Sequence, residues 1–143
     1  MSHKPNGATL DELCADHPKE GEVLRQQLRV GEHVDMYVVG NGTEILALTR
    51  RSLYIIKPGF LHLSGRMAVE YPYDEVTQVV VHASHGHLAF EVCTDDTLVP
   101  DPSGADYDID YDLPNVVPLE EHELPAFEGA LALVLERVAN ARP

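Results

Sequence analysis

The chain has 143 residues, of which 44% are hydrophobic, with no Trp, three Phe and a formal net charge of −14. That length fits one ordinary domain and is too short for two, and the apolar content fills one core and excludes wholesale disorder. Its charge is unevenly placed, because residues 1–66 hold eight Lys or Arg and eight Asp or Glu, whereas residues 67–136 hold sixteen acids and no Lys or Arg. Arg137 and Arg142 follow. A surface of that sign repels phosphate backbones and anionic headgroups, which argues against nucleic acid and anionic membrane lipid and favours basic partners or cations. Solubility alone is the plainer use of so many acids. Cys14 and Cys93 match neither a disulfide framework nor a metal pattern and read as reduced thiols of a cytoplasmic protein. The polar residues 1–9 carry no apolar secretory core, and no apolar run approaches bilayer thickness.

In chain order, Thr9-Leu10-Asp11-Glu12 is a capping-box pattern that opens a first short helix. Pro18 suits the first turn of a second, with Val23, Leu24 and Leu28 at helical spacing, although Gly21 interrupts it. These pieces form a helical extension over residues 1–30. From Gly31 the period becomes strand-like. Runs at 34–39, 44–49 and 52–57 are separated by Gly40-Asn41-Gly42 and Arg50-Arg51, and the last ends at Pro58-Gly59. Further strands are expected at 67–73, where Pro72 needs an edge or an end, at 76–82, at 87–92 and at 115–119. Val79 and Val81 share one face of their strand, as do Leu88, Phe90 and Val92. Residues 94–113 form an acidic insertion rich in Asp, Pro and Gly, inside which 106–112 alternate strictly. That alternation sets Tyr107, Ile109 and Tyr111 opposite Asp106, Asp108, Asp110 and Asp112. A closing helix spans about 124–141, with Pro125 in its first turn and Phe127, Leu131, Val134, Leu135 and Val138 as its stripe against the sheet.

The expected class is mainly β within α+β: a bent sandwich or partly open barrel of seven strands capped by a C-terminal helix. Two stretches carry a resemblance. Leu46-Ala47-Leu48-Thr49-Arg50-Arg51-Ser52-Leu53-Tyr54 resembles the Leu-Thr-turn-Arg-Leu-Tyr hairpin of bacterial pleckstrin-homology-like and GRAM-like domains. Tyr71-Pro72-Tyr73-Asp74-Glu75-Val76 is similar to the Pro-Tyr-Asp-acid-aliphatic start of their next strand. The resemblance covers residues 31–141 and implies a scaffold rather than a reaction. Lipid-binding members of the wider family carry Lys and Arg on the first hairpin. Here that hairpin reads Gly40-Asn41-Gly42-Thr43-Glu44, with no basic residue, which argues against phosphoinositide binding.

Several constellations offer chemistry, each beside a blander reading. His82, His85 and His87 surround a turn at 84–86. With 83–86 as the loop, His82 and His87 face each other as metal ligands, and His85 or Glu91 supplies another. The bland version is a hairpin tip with exposed histidines, since no established zinc spacing is present. Asp106, Asp108 and Asp110 offer hard oxygens for a cation, but the Gly and distal Glu of a calcium loop do not follow. A solvated acidic edge needs no ligand. The same residues, with Tyr107 and Tyr111, suit a basic partner. Leu133 stands opposite the apolar stripe of the closing helix and marks a small patch for a subunit interface. No phosphate loop, serine elbow or framed Cys–His pair is found, so neither an enzyme nor a cofactor is expected. The sequence reads as a non-catalytic protein-interaction or assembly module whose partner is basic or a copy of itself. The alternatives are cation regulation through 101–112 and acidic mimicry of nucleic acid.

Overall fold

The computed structural model describes residues 8–41, 44–58, 66–84, 87–95, 97 and 109–141. Helix α1 spans Ala8–Asp16 and α2 spans Pro18–Gln27. Helix α1 already includes Ala8, one residue before the expected Thr9 cap. Pro18 occupies the first turn of α2, where its missing N–H costs nothing. Gly21 has a packing reason: a Cβ there would lie 2.6 Å from Cys14 Sγ and 2.7 Å from Cys14 Cα. The helices touch at this point, and the contact offsets the weak helix propensity of glycine.

Strands β1 (Met36–Val39), β2 (Ile45–Leu48), β3 (Ser52–Pro58) and β4 (Arg66–Pro72) form an antiparallel meander. In β2 and β3 alternate side chains enter two separate cores. Leu46, Leu48, Leu53 and Ile55 point into the sandwich. Ile45, Ala47, Tyr54 and Ile56 point outward, where Leu13 and Leu24 of α1 and α2 cover them. Burial on both faces explains why these strands read as unbroken apolar runs. The helical extension is therefore a layer on the outside of this sheet.

Pro72 ends β4, one of the places a sheet tolerates proline. A 3-10 turn, Tyr73–Glu75, leads into β5 (Val76–Ser84), which pairs with β6 (His87–Thr94) and then β7 (Val116–Pro118) as a second antiparallel sheet. Val79, Val81, Leu88, Phe90 and Val92 all face the inner core, as their alternation implied. The two sheets come close where β1 ends. A Cβ on Gly40 would meet Val117 Cγ1 at 2.6 Å and the Pro118 carbonyl at 2.9 Å, so glycine permits the seam.

Helix α3 (Leu124–Ala141) closes the core with Phe127, Ala130 and Val134 fully buried. Phe127 meets Phe90 with ring centroids 5.7 Å apart. Its rotation differs from the expected stripe. Leu135 is 49% exposed, whereas Leu133 packs against the core and is not an exposed patch. The cause lies at Arg137, which Asp35 Oδ2 at 2.8 Å and the Thr49 carbonyl at 2.5 Å draw toward the sheet. This pull turns the Leu133 side inward and the Leu135 side outward. Two antiparallel sheets, seven strands in all, followed by a C-terminal helix give the mainly β, α+β architecture expected from the sequence. Among the described residues, no helix is long and apolar enough to cross a membrane.

Candidate functional site

Strand β3 has cations at both ends: Arg50 and Arg51 in the turn before it, and Lys57 near its finish. The Thr49–Ser52 turn is held from several directions. Thr49 N–H donates to the Ser52 carbonyl at 2.9 Å. Thr49 Oγ1 accepts from the Arg51 and Ser52 amides at 3.3 and 3.2 Å, and donates to Glu32 Oε2 at 2.7 Å. The Thr49 carbonyl accepts from Tyr73 Oη at 2.6 Å as well as from Arg137. Thr49 and Ser52 are buried while Arg50 and Arg51 are exposed. The turn thus presents two guanidinium groups from a fixed base.

Around it, most acids are already engaged. Arg29 and Ser52 both donate to Glu70 Oε2, at 2.7 and 2.6 Å. Partial burial works against ionisation of Glu70, but these donors hold its carboxyl below the ordinary value of 4.5. Glu32 accepts from Tyr54 Oη at 3.0 Å and from the Arg29 amide at 3.0 Å. Burial, with the Glu32 charge beside it, pushes the Tyr54 phenol up. Shallow grooves run out from the arginines. One passes toward Val30 and His33, another toward Asp74, Glu75 and Ala141, and a third along Leu133 and Asn140.

At the other end of β3, Lys57 is 6% exposed. Its Nζ donates to the carbonyls of Tyr111 at 2.9 Å, Leu113 at 2.7 Å and Val116 at 2.5 Å. Glu44 Oε1 lies 2.9 Å away. An ammonium has three N–H donors for these four oxygens. The carboxylate therefore pairs through charge rather than through an aligned hydrogen bond. Burial raises the Glu44 carboxyl above its ordinary value of 4.5 against the pull of Lys57. This clip fastens the acidic insertion to the first sheet just before β7. Sequence reasoning missed it, yet a signal was there. Ile45 pairs with Ile56, which sets Glu44 opposite Lys57 as a cross-strand pair of opposite charge.

Among the described residues, those singled out from sequence are not brought together. Ser84 pairs with His87, so the β5–β6 strands run closer to the turn than expected and His82 sits opposite Ala89 rather than His87. His82 Nε2 instead meets Glu91 Oε1 at 2.9 Å, with Glu91 fully buried, and that carboxylate is engaged rather than waiting for a metal. His85 lies outside the described residues. Among the described residues, no three His, Cys, Asp or Glu side chains gather into a metal site. Asp106, Tyr107 and Asp108 also lie outside the described residues. Ile109 to Asp112 are not a strand, because Asp110 Oδ1 accepts from the Asp112 amide at 3.1 Å and the Asp110 carbonyl from Leu113 N–H at 3.3 Å. That side chain to backbone bond makes a turn, and it overrides the period-two pattern. Tyr111 takes part through its carbonyl to Lys57. Cys93 is buried, and desolvation beside Glu91 pushes its thiol up to about 11. Cys14 is partly exposed and accepts from Arg25 Nη2 at 3.3 Å.

No family model matches the chain, and no curated protein matches it. A solved structure similar to it is described as a DUF1696 family protein with a pleckstrin-homology domain from Shewanella loihica PV-4. The two share 16% identity over 92% of this chain and 91% of that one, with a TM-score of 0.47. A likeness of this size identifies neither ligand nor partner.

Proposed function

We propose that the chain is a non-catalytic protein-interaction or assembly module of the bacterial pleckstrin-homology-like, GRAM-like kind, and that it takes a basic partner or a second copy of itself. One observation carries this reading: residues 67–136 bear sixteen acids and no Lys or Arg. A stretch of that charge attracts a positively charged surface over several ångströms and repels nucleic acid and anionic lipid. Within the acidic insertion, Tyr107, Asp108, Asp110 and Tyr111 are the residues proposed to meet a basic partner, with aromatic area beside the charge. Lys57 supports this assignment by anchoring the C-terminal leg of the insertion through the Tyr111 and Leu113 carbonyls.

The test is retention on the immobilised chain at low and high salt, compared with a variant carrying Asp106→Asn, Asp108→Asn, Asp110→Asn and Asp112→Asn. Basic proteins should be retained at low salt and released by screening, and the variant should retain much less. Equal retention by both chains would remove the insertion from the function.

A further inference from the structure

We infer that the groove between the β2–β3 turn and the Tyr73–Glu75 turn is a self-complementary surface whose occupant is a second copy of this chain. The inference rests on the interaction-module reading and names the copy as the partner. Arg50 and Arg51 line this groove together with Asp74 and Glu75, all four exposed. Glu32, Asp35 and Glu70, the nearby acids, are already held by Thr49 and Tyr54, by Arg137, and by Ser52 with Arg29. Among the described residues, none of the four groove charges has an ion pair or a side-chain hydrogen bond.

Both turns are fixed. Tyr73 N–H donates to the Arg51 carbonyl at 3.1 Å, and Tyr73 Oη reaches the Thr49 carbonyl. The result is a patch that sets two cations beside two anions, all four unpaired among the described residues. A two-fold axis through such a patch places the arginines of each copy on the acids of the other, which is the isologous geometry of the commonest dimers. Guanidinium groups suit this role, since their planar fork takes a carboxylate through two parallel bonds. The arginines also border Val30, 107% exposed, which gives the polar patch an apolar margin. A lipid headgroup or a phosphate would meet the same arginines but would be repelled by Asp74 and Glu75. A second copy brings charges of both signs.

Light scattering across a concentration series at low ionic strength tests the inference on the full chain. Wild type should approach twice the monomer mass and return to monomer as salt is added. Arg50→Glu with Arg51→Glu makes the patch wholly negative, and Asp74→Arg with Glu75→Arg makes it wholly positive. Each variant should raise the dissociation constant about tenfold or more, because like charges are then juxtaposed. An equimolar mixture of the two variants should associate again. All four side chains are exposed, so circular dichroism should show both variants folded. A monomeric wild type, or association untouched by either reversal, or a mixture that stays monomeric, overturns the inference. So does binding of wild type to anionic vesicles that is lost on reversing Arg50 and Arg51. A monomeric wild type whose immobilised form still retains basic proteins through the insertion would sink the inference alone and leave the interaction-module reading standing.

Discussion

At the C-terminal end of β3, Lys57 enters a ring of carbonyl oxygens beside Glu44. At the N-terminal end, Arg50 and Arg51 leave a tightly bonded turn and reach solvent. All three are cations among neighbouring acids, yet the first is used up inside the fold and the other two are left for something outside it. Burial makes the difference. A desolvated ammonium is stable only with its donors satisfied, whereas a guanidinium in water needs no partner and gains little from one. At one end the cation serves the fold, and at the other the fold serves the cations.

The largest effect that tests this contrast is at Lys57. Lys57→Met should cost about 3–5 kcal/mol in urea unfolding, because the largely buried Glu44 is left without its counter-charge. Adding Glu44→Met should recover most of that loss. A single variant as stable as wild type would mean that the clip does not hold the insertion. Next comes Arg137, which reaches the turn from α3. Arg137→Met should cost about 1–3 kcal/mol by removing its bonds to Asp35 and the Thr49 carbonyl. An unchanged midpoint would show that Tyr73 alone fixes the turn.

Acid titration separates the ends by sign. Glu70, beside Arg29 and Ser52, has its carboxyl lowered on folding, so its contribution is present above 4.5 and is lost as pH falls through its folded value. Glu44 has its carboxyl raised, so its contribution is complete below 4.5 and is lost as pH rises through its folded value. In urea midpoints measured from pH ~3 to ~7, Glu70→Gln should flatten the acid limb and Glu44→Gln the limb above it. Similar curves for the two variants would break the comparison. The smallest effect belongs to the free arginines. Arg50→Ala with Arg51→Ala should shift stability by no more than about 0.5 kcal/mol. A larger loss would show that the pair serves the fold after all.

Much of this architecture was legible because it repeats along the chain. Period-two runs marked the strands, and the apolar continuity of Ile45–Leu48 and Leu53–Ile56 carried, unread, the news that this sheet is covered on both faces. One error sits where a distant contact outvotes a local pattern, and two where a turn does. Leu133 and Leu135 exchanged roles because Arg137 is held from Asp35 and Thr49, far away in sequence. The histidines parted because the β5–β6 pairing runs two residues closer to its turn. The aspartate alternation failed at Asp110, whose carboxylate accepts from the Asp112 amide. The candidate site was the least legible part. Arg50 and Arg51 were visible as a break between strands, but that they stand unpaired in one groove with Asp74 and Glu75 depends on two turns brought together by Tyr73.

The cage around Lys57 also has a practical side. The chain contains three lysines, Lys4, Lys19 and Lys57. Reagents that acylate primary amines need access to a neutral Nζ, and an ammonium sealed among carbonyl oxygens offers none. Lysine-directed dyes, cross-linkers or activated resins would therefore spare Lys57 in the folded protein and mark Lys19, exposed on α2.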